Sequence, residues 1–239
     1  MAIYEFHTRV AYDDIDNSNH LTMKGAMRLL QEAALLDADR AGYSVLDVPH
    51  TGLVWLLVQW RIRMERTATW NDPLVVRTWA RTMIRVKSTR DFIIENEQGE
   101  VVARGESLWV LVSAHTGHPV RITDEVRNSY ELSDGQVFDQ PLPELPAGVG
   151  QVVCSYEVRH RDIDTNHHMN NRIYPAVARE ALPKELQDRQ FPEISIHYHR
   201  QLLLGDTALL RYRKEGSAHI VELTGEDPKH IHATVVFYE

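Results

Sequence analysis

The chain has 239 residues and a net charge of −8, with 43% hydrophobic composition and one cysteine. This length allows one large domain or two small ones. The negative charge argues against a nucleic-acid partner. The single cysteine, Cys154, excludes an intrachain disulfide and a thiolate zinc cluster. The start, MAIYEFHTRV, lacks a secretory signal pattern, and the longest apolar stretch, 53–58, is too short to cross a bilayer, so we expect a cytoplasmic protein without a membrane partner.

The first half predicts one long helix followed by strands. Apolar residues recur at helical spacing from about Thr22 to Ala41, where Thr22 can cap the start and Gly42 can close the end. Alternation of apolar and polar residues begins near Val58 and predicts a run of strands. These strands are expected at about 58–65, 74–81, 87–95 and 101–113, with a hairpin turn at 97–100.

The second half repeats this order of elements. A helix is expected from about Arg172 to Leu186, with Asn170 and Asn171 as capping residues. The strands after it are expected at about 193–203, 207–214, 219–224 and 230–238. Both halves therefore place one helix before a run of strands.

A motif ahead of each helix indicates that the halves are copies of one unit. At a constant offset of 148 residues, Asp-Ile-Asp at 14–16 falls on Asp-Ile-Asp at 162–164, and His20 falls on His168. A helix with one apolar side needs a sheet to pack on. We therefore expect an α+β tandem (double) hot-dog, in which each half is a long helix wrapped by a curved antiparallel sheet. The domains expected are an N-terminal hot-dog at 1–135, a linker at 136–150 and a C-terminal hot-dog at 151–239.

The second copy of the motif, RDIDTNHHMNN, concentrates polar groups that could perform hydrolysis. A carboxylate beside an imidazole can activate water by general-base catalysis, and Asp164 and His168 could supply that pair. The amide of Asn166 can orient water or a carbonyl group. The same residues also suit a turn, because Asp and Asn side chains bond their own backbone, so these residue types leave both readings open.

Several segments of the chain resemble one family. LQEAA, WLLVQWRIRMERTATWNDPLVVRTW and ESLWVLVSAHTGHPVRITDEVR in the first half, and DIDTNHHMNNRIYP in the second, are similar to segments of the acyl-acyl carrier protein (acyl-ACP) thioesterases. The resemblance covers nearly all of the chain. It implies hydrolysis of the thioester between a fatty acyl chain and the phosphopantetheine of acyl carrier protein (ACP), releasing free fatty acid and holo-ACP. No cofactor and no metal is expected.

The resemblance also implies roles for single residues. The catalytic Asp, Asn and His of the family fall on Asp164, Asn166 and His168, and the carboxylic residue that the family has on the strand after the second helix falls on Gln201. Glutamine cannot take a proton as a base. We therefore expect Asp164 to act as the base or as a transient nucleophile, His168 to orient it or share the proton, and Gln201 to position water.

Four further residues are candidates for substrate binding: Trp55, Trp60, Asn170 and Asn171. Core packing explains the two tryptophans better than substrate binding does. The first copy of the motif keeps Asp16 and His20 but has Ser18 in place of the asparagine. We therefore expect one active site per chain, with residual activity at Asp16 and His20 as a hypothesis.

Basic residues crowd the strands of the first half. The segment 61–90 holds eight Lys and Arg residues against two acidic ones. Because ACP is acidic, we expect it to dock on this basic face through contacts that salt weakens. The face consists of Arg61, Arg63, Arg77, Arg81 and Arg85. Solvated strands would explain the same charges, and a homodimer through exposed sheet or helix surfaces stays open.

Other functions fit parts of the sequence. A hot-dog acyl-CoA thioesterase is the nearest alternative, although no nucleotide pocket is evident, and a dehydratase or hydratase matches the paired asparagines less well. A non-enzymatic acyl-thioester-binding module fits Gln201 in place of the carboxylate. A metal site could draw on His197 and His199, although no ligand spacing of a known metal motif occurs.

Overall fold

The computed structural model describes residues 3–141, 144 and 148–239. The chain divides into two compact units, Met1–Pro141 and Leu142–Glu239. The domain boundaries expected from the sequence, 1–135 and 151–239, stay predictions, and part of the linker expected at 136–150 lies outside the described residues. Within the described ranges, no helix is long and apolar enough to cross a membrane.

The first unit is built from one long helix and five antiparallel strands. The strands are β1 (Tyr4–Arg9), β2 (Leu53–Met64), β3 (Pro73–Ile84), β4 (Lys87–Asn96) and β5 (Val101–Ser113). The helices are α1 (Met23–Arg40), α2 (Val48–Thr51) and α3 (Asp124–Tyr130). The strand order is β1–β3–β4–β5–β2, and α1 packs on this sheet. The strands predicted for this half are confirmed.

Helix α1 begins and ends as the sequence predicts. The side-chain oxygen of Thr22 accepts a hydrogen bond from the N–H of Gly25 at 3.0 Å, and Gly42 follows the helix with a φ of 78°. A Cβ at Gly25 would lie 2.6 Å from the Cβ of Asp14. Glycine at this position therefore lets α1 pack against the turn that precedes it.

A buried ion pair ties α1 to the sheet. Asp37 is 1% exposed and accepts from Arg90 Nη1 at 2.7 Å and from Arg40 Nη2 at 2.8 Å. Arg90 also donates to the hydroxyl of Thr78 on β3 at 3.2 Å. Because a buried charge is stable only when it is paired and hydrogen-bonded, this cluster fixes where α1 sits on β3 and β4.

The second unit repeats the arrangement with shorter helices. The strands are β6 (Gln151–Glu157), β7 (Glu193–Tyr198), β8 (Thr207–Glu215), β9 (Ala218–Thr224) and β10 (Ile231–Tyr238). The helices are α4 (Tyr174–Arg179) and α5 (Lys184–Gln187). The strand order is β7–β10–β9–β8–β6, and every pair is antiparallel. Helix α4 packs on β9 and β10.

The second helix differs from its prediction. The helix expected over 172–186 is broken into α4 and α5 because Pro183 has no N–H to donate and disfavours a helical residue before it. The capping role expected for Asn170 and Asn171 is wrong, since Ile173 is the N-cap of α4 and makes no side-chain cap. Each unit is still a helix on an antiparallel sheet, which is the α+β hot-dog arrangement.

Candidate active site

The second copy of the motif forms a tight loop between β6 and α4. The N–H of Asp164 donates to the carbonyl of His168 at 3.0 Å, and the N–H of His167 donates to the carbonyl of Asp164 at 3.1 Å. His167 takes a φ of 65°, and Ile163 and Met169 form a β-bridge at the neck of the loop. Asp164 and His168 are thus held face to face across the loop.

The side chains of this loop bring a carboxylate close to an imidazole. Asp164 Oδ1 lies 3.8 Å from His168 Nδ1, and the two side chains are 17% and 16% exposed. The same Oδ1 accepts the N–H of Asn166 at 2.8 Å, so Asp164 has the turn role that its residue type allows, and its chemical role stays a prediction. The separation of 3.8 Å is too long for a direct hydrogen bond, but it suits a pair that shares a proton through water or a small movement.

Gln201 lies on the loop that follows β7. The strand was expected to reach residue 203 but ends at Tyr198, because the N–H groups of His199 and Arg200 both donate to the carbonyl of His232. The N–H of Met169 donates to the carbonyl of Leu202 at 2.8 Å, which joins this loop to the motif loop around Asp164. Gln201 is exposed, and its side chain makes no hydrogen bond with the part of the chain described.

Two tyrosines that the sequence reasoning missed support this loop. Tyr174 opens α4 and is 2% exposed, and burial raises its pKa to about 12, with the amide of Leu202 and the carboxylate of Asp164 close enough to act on it. The hydroxyl of Tyr198 donates to the carbonyl of Asn171 at 2.8 Å, and the two rings meet edge to face at 5.3 Å. The signal for Tyr174 was its position four residues after Asn170, on the first turn of the helix.

The paired asparagines sit between the loop and α4. Asn170 Oδ1 accepts the N–H of Arg172 at 3.0 Å, and the N–H of Asn170 donates to the carbonyl of Asp162 at 2.8 Å. The carbonyl of Asn171 receives the Tyr198 hydroxyl. Both residues therefore shape the backbone beside Asp164.

His197 on β7 and His199 directly after it are the histidines that the sequence offers as metal ligands. Their rings stack at a centroid distance of 6.4 Å, and burial lowers the pKa of both His197 and His199. Nε2 of His197 is buried without a hydrogen-bond partner. Across the described ranges, no group of three or more His, Cys, Asp or Glu side chains is placed to hold a metal ion.

Models of known protein families match both units of the chain. The acyl-ACP thioesterase N-terminal domain matches residues 2–130, and the acyl-ACP thioesterase C-terminal domain matches residues 150–234. The chain belongs to the acyl-ACP thioesterase family. The motif loop around Asp164 lies within the C-terminal match.

Curated relatives of this acyl-ACP thioesterase family member are plant proteins of greater length. The chloroplastic oleoyl-acyl carrier protein thioesterase 2 of Arabidopsis thaliana is 26% identical over 199 residues, which are 75% of this chain and 54% of that protein. The chloroplastic palmitoyl-acyl carrier protein thioesterase of Cuphea hookeriana is 28% identical over 195 residues, which are 75% of this chain and 47% of that protein. The chain spans about half the length of these relatives.

Solved structures share the fold at low sequence identity. An acyl-ACP thioesterase from Bacteroides thetaiotaomicron aligns with a TM-score of 0.87 and 18% identity, covering 99% of this chain and 97% of that one. The 12:0-ACP thioesterase from Umbellularia californica aligns with a TM-score of 0.82 and 21% identity, covering 100% and 97%. These likenesses support the tandem hot-dog fold.

The first copy of the motif in this family member has the same backbone as the second. The N–H of Asp16 donates to the carbonyl of His20 at 2.9 Å, and Asn19 takes a φ of 64°. Its carboxylate is engaged differently, because Asp16 Oδ1 accepts two N–H groups, from Ser18 at 2.9 Å and from His20 at 3.0 Å. His20 is exposed, whereas His168 is largely buried.

Both tryptophans predicted to bind substrate are packed into the first unit. Trp55 is half-buried, and its Nε1 donates to the hydroxyl of Tyr130 at 2.9 Å. Trp60 is 0% exposed and packs on Phe92 at 5.0 Å, and its Nε1 has no hydrogen-bond partner in the described structure. Their role in substrate binding stays a prediction.

The basic face expected from the sequence is largely neutralised within the first unit. Arg77 pairs with both Glu5 and Glu95, and Arg81 pairs with Asp91 and Glu106. Arg61 is 5% exposed, donates to the carbonyl of Gln140 and lies 4.0 Å from the centre of the Phe138 ring. These three arginines therefore do not form an open cationic surface, because cross-strand acids and the segment after α3 already use their charges. Arg85 is exposed at the turn between β3 and β4, and Arg63 lies within 5.5 Å of the Phe138 ring.

Proposed function

We propose that this chain hydrolyses the thioester of fatty acyl-ACP and releases free fatty acid and holo-ACP. The observation that carries the proposal is the loop in the second unit that holds the Asp164 carboxylate 3.8 Å from the His168 imidazole. Membership of the acyl-ACP thioesterase family supports the substrate class. A water placed between this pair and a thioester would have both a base and a partner for the proton.

The reaction follows from the roles that these side chains can take. Asp164 removes a proton from water as the oxygen attacks the carbonyl carbon of the thioester, and general-base help of this kind contributes about 10²–10⁴-fold. The carbon–sulfur bond then breaks, and the proton held by Asp164 and His168 passes to the leaving sulfur of phosphopantetheine. Asn166 and Gln201, both exposed on neighbouring loops, donate amide hydrogens to the water or to the carbonyl oxygen.

The decisive variant is Asp164→Asn, assayed by thiol release from acyl-ACP. Asparagine keeps the acceptor that the N–H of Asn166 needs, so the loop should fold while the base is lost, and we expect turnover to fall by several orders of magnitude. Asp16→Asn is the matched control, because it makes the same change in the same turn of the first copy. Near-normal turnover in Asp164→Asn would refute the assignment, and a large loss in Asp16→Asn would support a second reacting site.

Gln201 favours one alternative function. Gln201 places a neutral amide at the position where the family has a carboxylic residue. This replacement would suit a protein that binds acyl thioesters without cleaving them. Thiol release by the unchanged chain separates the two functions, because a binding module would retain the acyl-ACP intact. Comparing the same acyl group on ACP and on CoA separates the acyl-ACP thioesterase from an acyl-CoA thioesterase.

Several expectations accompany this proposal and stay predictions. They are the cytoplasmic location, the absence of membrane and nucleic-acid partners, the lack of any cofactor, and a homodimer as one possible assembly. The substrate-binding roles of Trp55, Trp60, Asn170 and Asn171 belong with them. A panel of acyl-ACP substrates from short to long chains, tested on variants at these four positions, would measure those roles.

A further inference from the structure

Three loops meet at one end of the sheet in the second unit. They cover residues 158–172, 199–206 and 225–230, the last of which leads into His232 at the start of β10, and the first of them holds the Asp164 carboxylate. Two main-chain hydrogen bonds join the first two loops, Val158 N to Asp206 O at 2.9 Å and Met169 N to Leu202 O at 2.8 Å, and a third joins the second loop to the start of β10, His199 N to His232 O at 2.8 Å. Side chains on these loops therefore surround the approach to the candidate site within this unit.

Exposed cations and exposed leucines lie on the first two loops. Arg159 and Arg200 are exposed and make no ion pair with the part of the chain described, and the Arg161 side chain is 73% exposed, with its nearest acid, Asp162, 3.8 Å away. Leu203 and Leu204 are 51% and 47% exposed. We call Arg159, Arg161, Arg200, Leu203 and Leu204 the carrier rim.

The duplicated unit indicates that the turn before the motif forms without arginines at positions equivalent to 159 and 161. Positions 11–13 read Ala-Tyr-Asp, and the corresponding positions 159–161 read Arg-His-Arg, each directly before or within a 3-10 turn that leads into the same Asp-Ile-Asp motif. Both copies then close the loop with the same main-chain hydrogen bonds. The turn folds in the first copy without arginines at these positions, where Arg28 pairs with Asp14, and in the second copy Arg161 is the cation near the buried Asp162 while most of its side chain stays exposed.

Charge is also distributed differently from what the net value suggests. The net charge of the chain is −8. In the first unit, Arg77 and Arg81 form ion pairs with acidic side chains, and Arg61 is buried. The carrier rim presents exposed guanidinium groups beside the loop that holds the complete Asp–Asn–His set, and of these only Arg161 has an acid of this unit, Asp162, within 4 Å among the described residues. A partner with acidic side chains and an apolar edge is complementary to such a surface.

We propose that the acidic carrier protein docks on the carrier rim, an inference that rests on the proposed function. Its carboxylates meet Arg159, Arg161 and Arg200, and an apolar side of the carrier covers Leu203 and Leu204. The phosphopantetheine arm then enters beside residues 164–168, which follow Arg159 and Arg161 by only a few positions. Exposed charges of this kind act mainly on association and are screened by salt.

Docking can be measured apart from hydrolysis. The Asp164→Asn chain is titrated with palmitoyl-loaded ACP at low and at moderate salt, with and without the double change Arg161→Glu and Arg200→Glu. We expect the double change to weaken binding about 10-fold or more at low salt and to flatten the salt dependence, because the attraction becomes a repulsion. Lys184→Glu is the matched control: this exposed lysine lies on α5, outside the three loops, and reversing it should alter the dissociation constant by less than about 2-fold.

A kinetic readout on the chain with Asp164 intact completes the test. The quantity compared is kcat/KM for palmitoyl-ACP divided by kcat/KM for palmitoyl-N-acetylcysteamine, which has no carrier, and the rim variant should lower this ratio. Binding of palmitoyl-ACP that is unchanged by the rim reversal would overturn the docking site, whatever the chain hydrolyses. Tight, rim-dependent binding without thiol release from the chain with Asp164 intact would uphold the docking site and overturn the hydrolase proposal.

Discussion

Replacing Asp37 by asparagine should destabilise the first unit far more than an ordinary helix substitution. The carboxylate is 1% exposed and takes three hydrogen bonds at 2.7–2.9 Å, one from Arg90 and two from Arg40. Arg90 is itself 5% exposed, so the change leaves a buried guanidinium without its counter-ion. Breaking a buried pair in this way costs about 3–5 kcal/mol, against a total stability of about 5–15 kcal/mol for most domains.

The assay can address the first unit alone. All five tryptophans lie at positions 55–109, so the change of tryptophan fluorescence during urea unfolding reports the unfolding of the first unit and not that of the second. We expect the midpoint to fall with an unchanged m-value, because the surface exposed on unfolding stays the same. Asp39→Asn is the control, since Asp39 is exposed on the same helix and should cost less than about 0.5 kcal/mol. A loss below about 1 kcal/mol in Asp37→Asn would show that Arg90 finds water or another partner, and that the pair does not anchor α1.

Two further predictions concern the second unit. Tyr174→Phe keeps the edge-to-face packing on Tyr198 but removes the hydroxyl near Asp164 and Leu202. We expect kcat for acyl-ACP to fall about 10-fold with KM little changed, because a slightly misplaced loop disturbs the reacting geometry more than substrate binding. An unchanged kcat would show that the Tyr174 hydroxyl does not support the site. Burial lowers the pKa of His197 and His199 below 6.5. As the pH drops, these two imidazoles therefore take up protons in the unfolded chain before they do so in the folded chain. Stability should therefore be constant above about pH 6.5 and decline below it, and His197→Phe should flatten that decline in thermal unfolding between pH 8 and pH 5.

Local patterns predicted the elements that depend on sequence neighbours. The strand pattern of the first half follows from period-two burial, and the ends of α1 follow from Thr22 and Gly42. The break between α4 and α5 was also within reach, because Pro183 stands inside the predicted helix.

Properties that depend on strand register were not accessible from the sequence. Glu5 and Arg77 are cross-strand partners between β1 and β3, and Glu95 completes that ion pair from β4, so three separate segments decide whether one arginine is available. The same holds for Arg81, whose acids come from β4 and β5. Counting basic residues along 61–90 therefore overestimated the open charge of this face.

The two copies of the motif explain why the proposal assigns chemistry to one of them. Both loops use the same main-chain bonds and the same left-handed residue before the histidine, so the backbone does not distinguish them. In the first copy, Oδ1 of Asp16 is occupied by two N–H groups, and His20 is exposed to solvent. In the second copy, Oδ1 of Asp164 accepts one N–H, and the imidazole of His168 is shielded at 3.8 Å. The carboxylate oxygen with one fewer backbone N–H to accept is open to a water molecule, and a shielded imidazole interacts with it through less water, so the second copy is the one whose geometry suits a base.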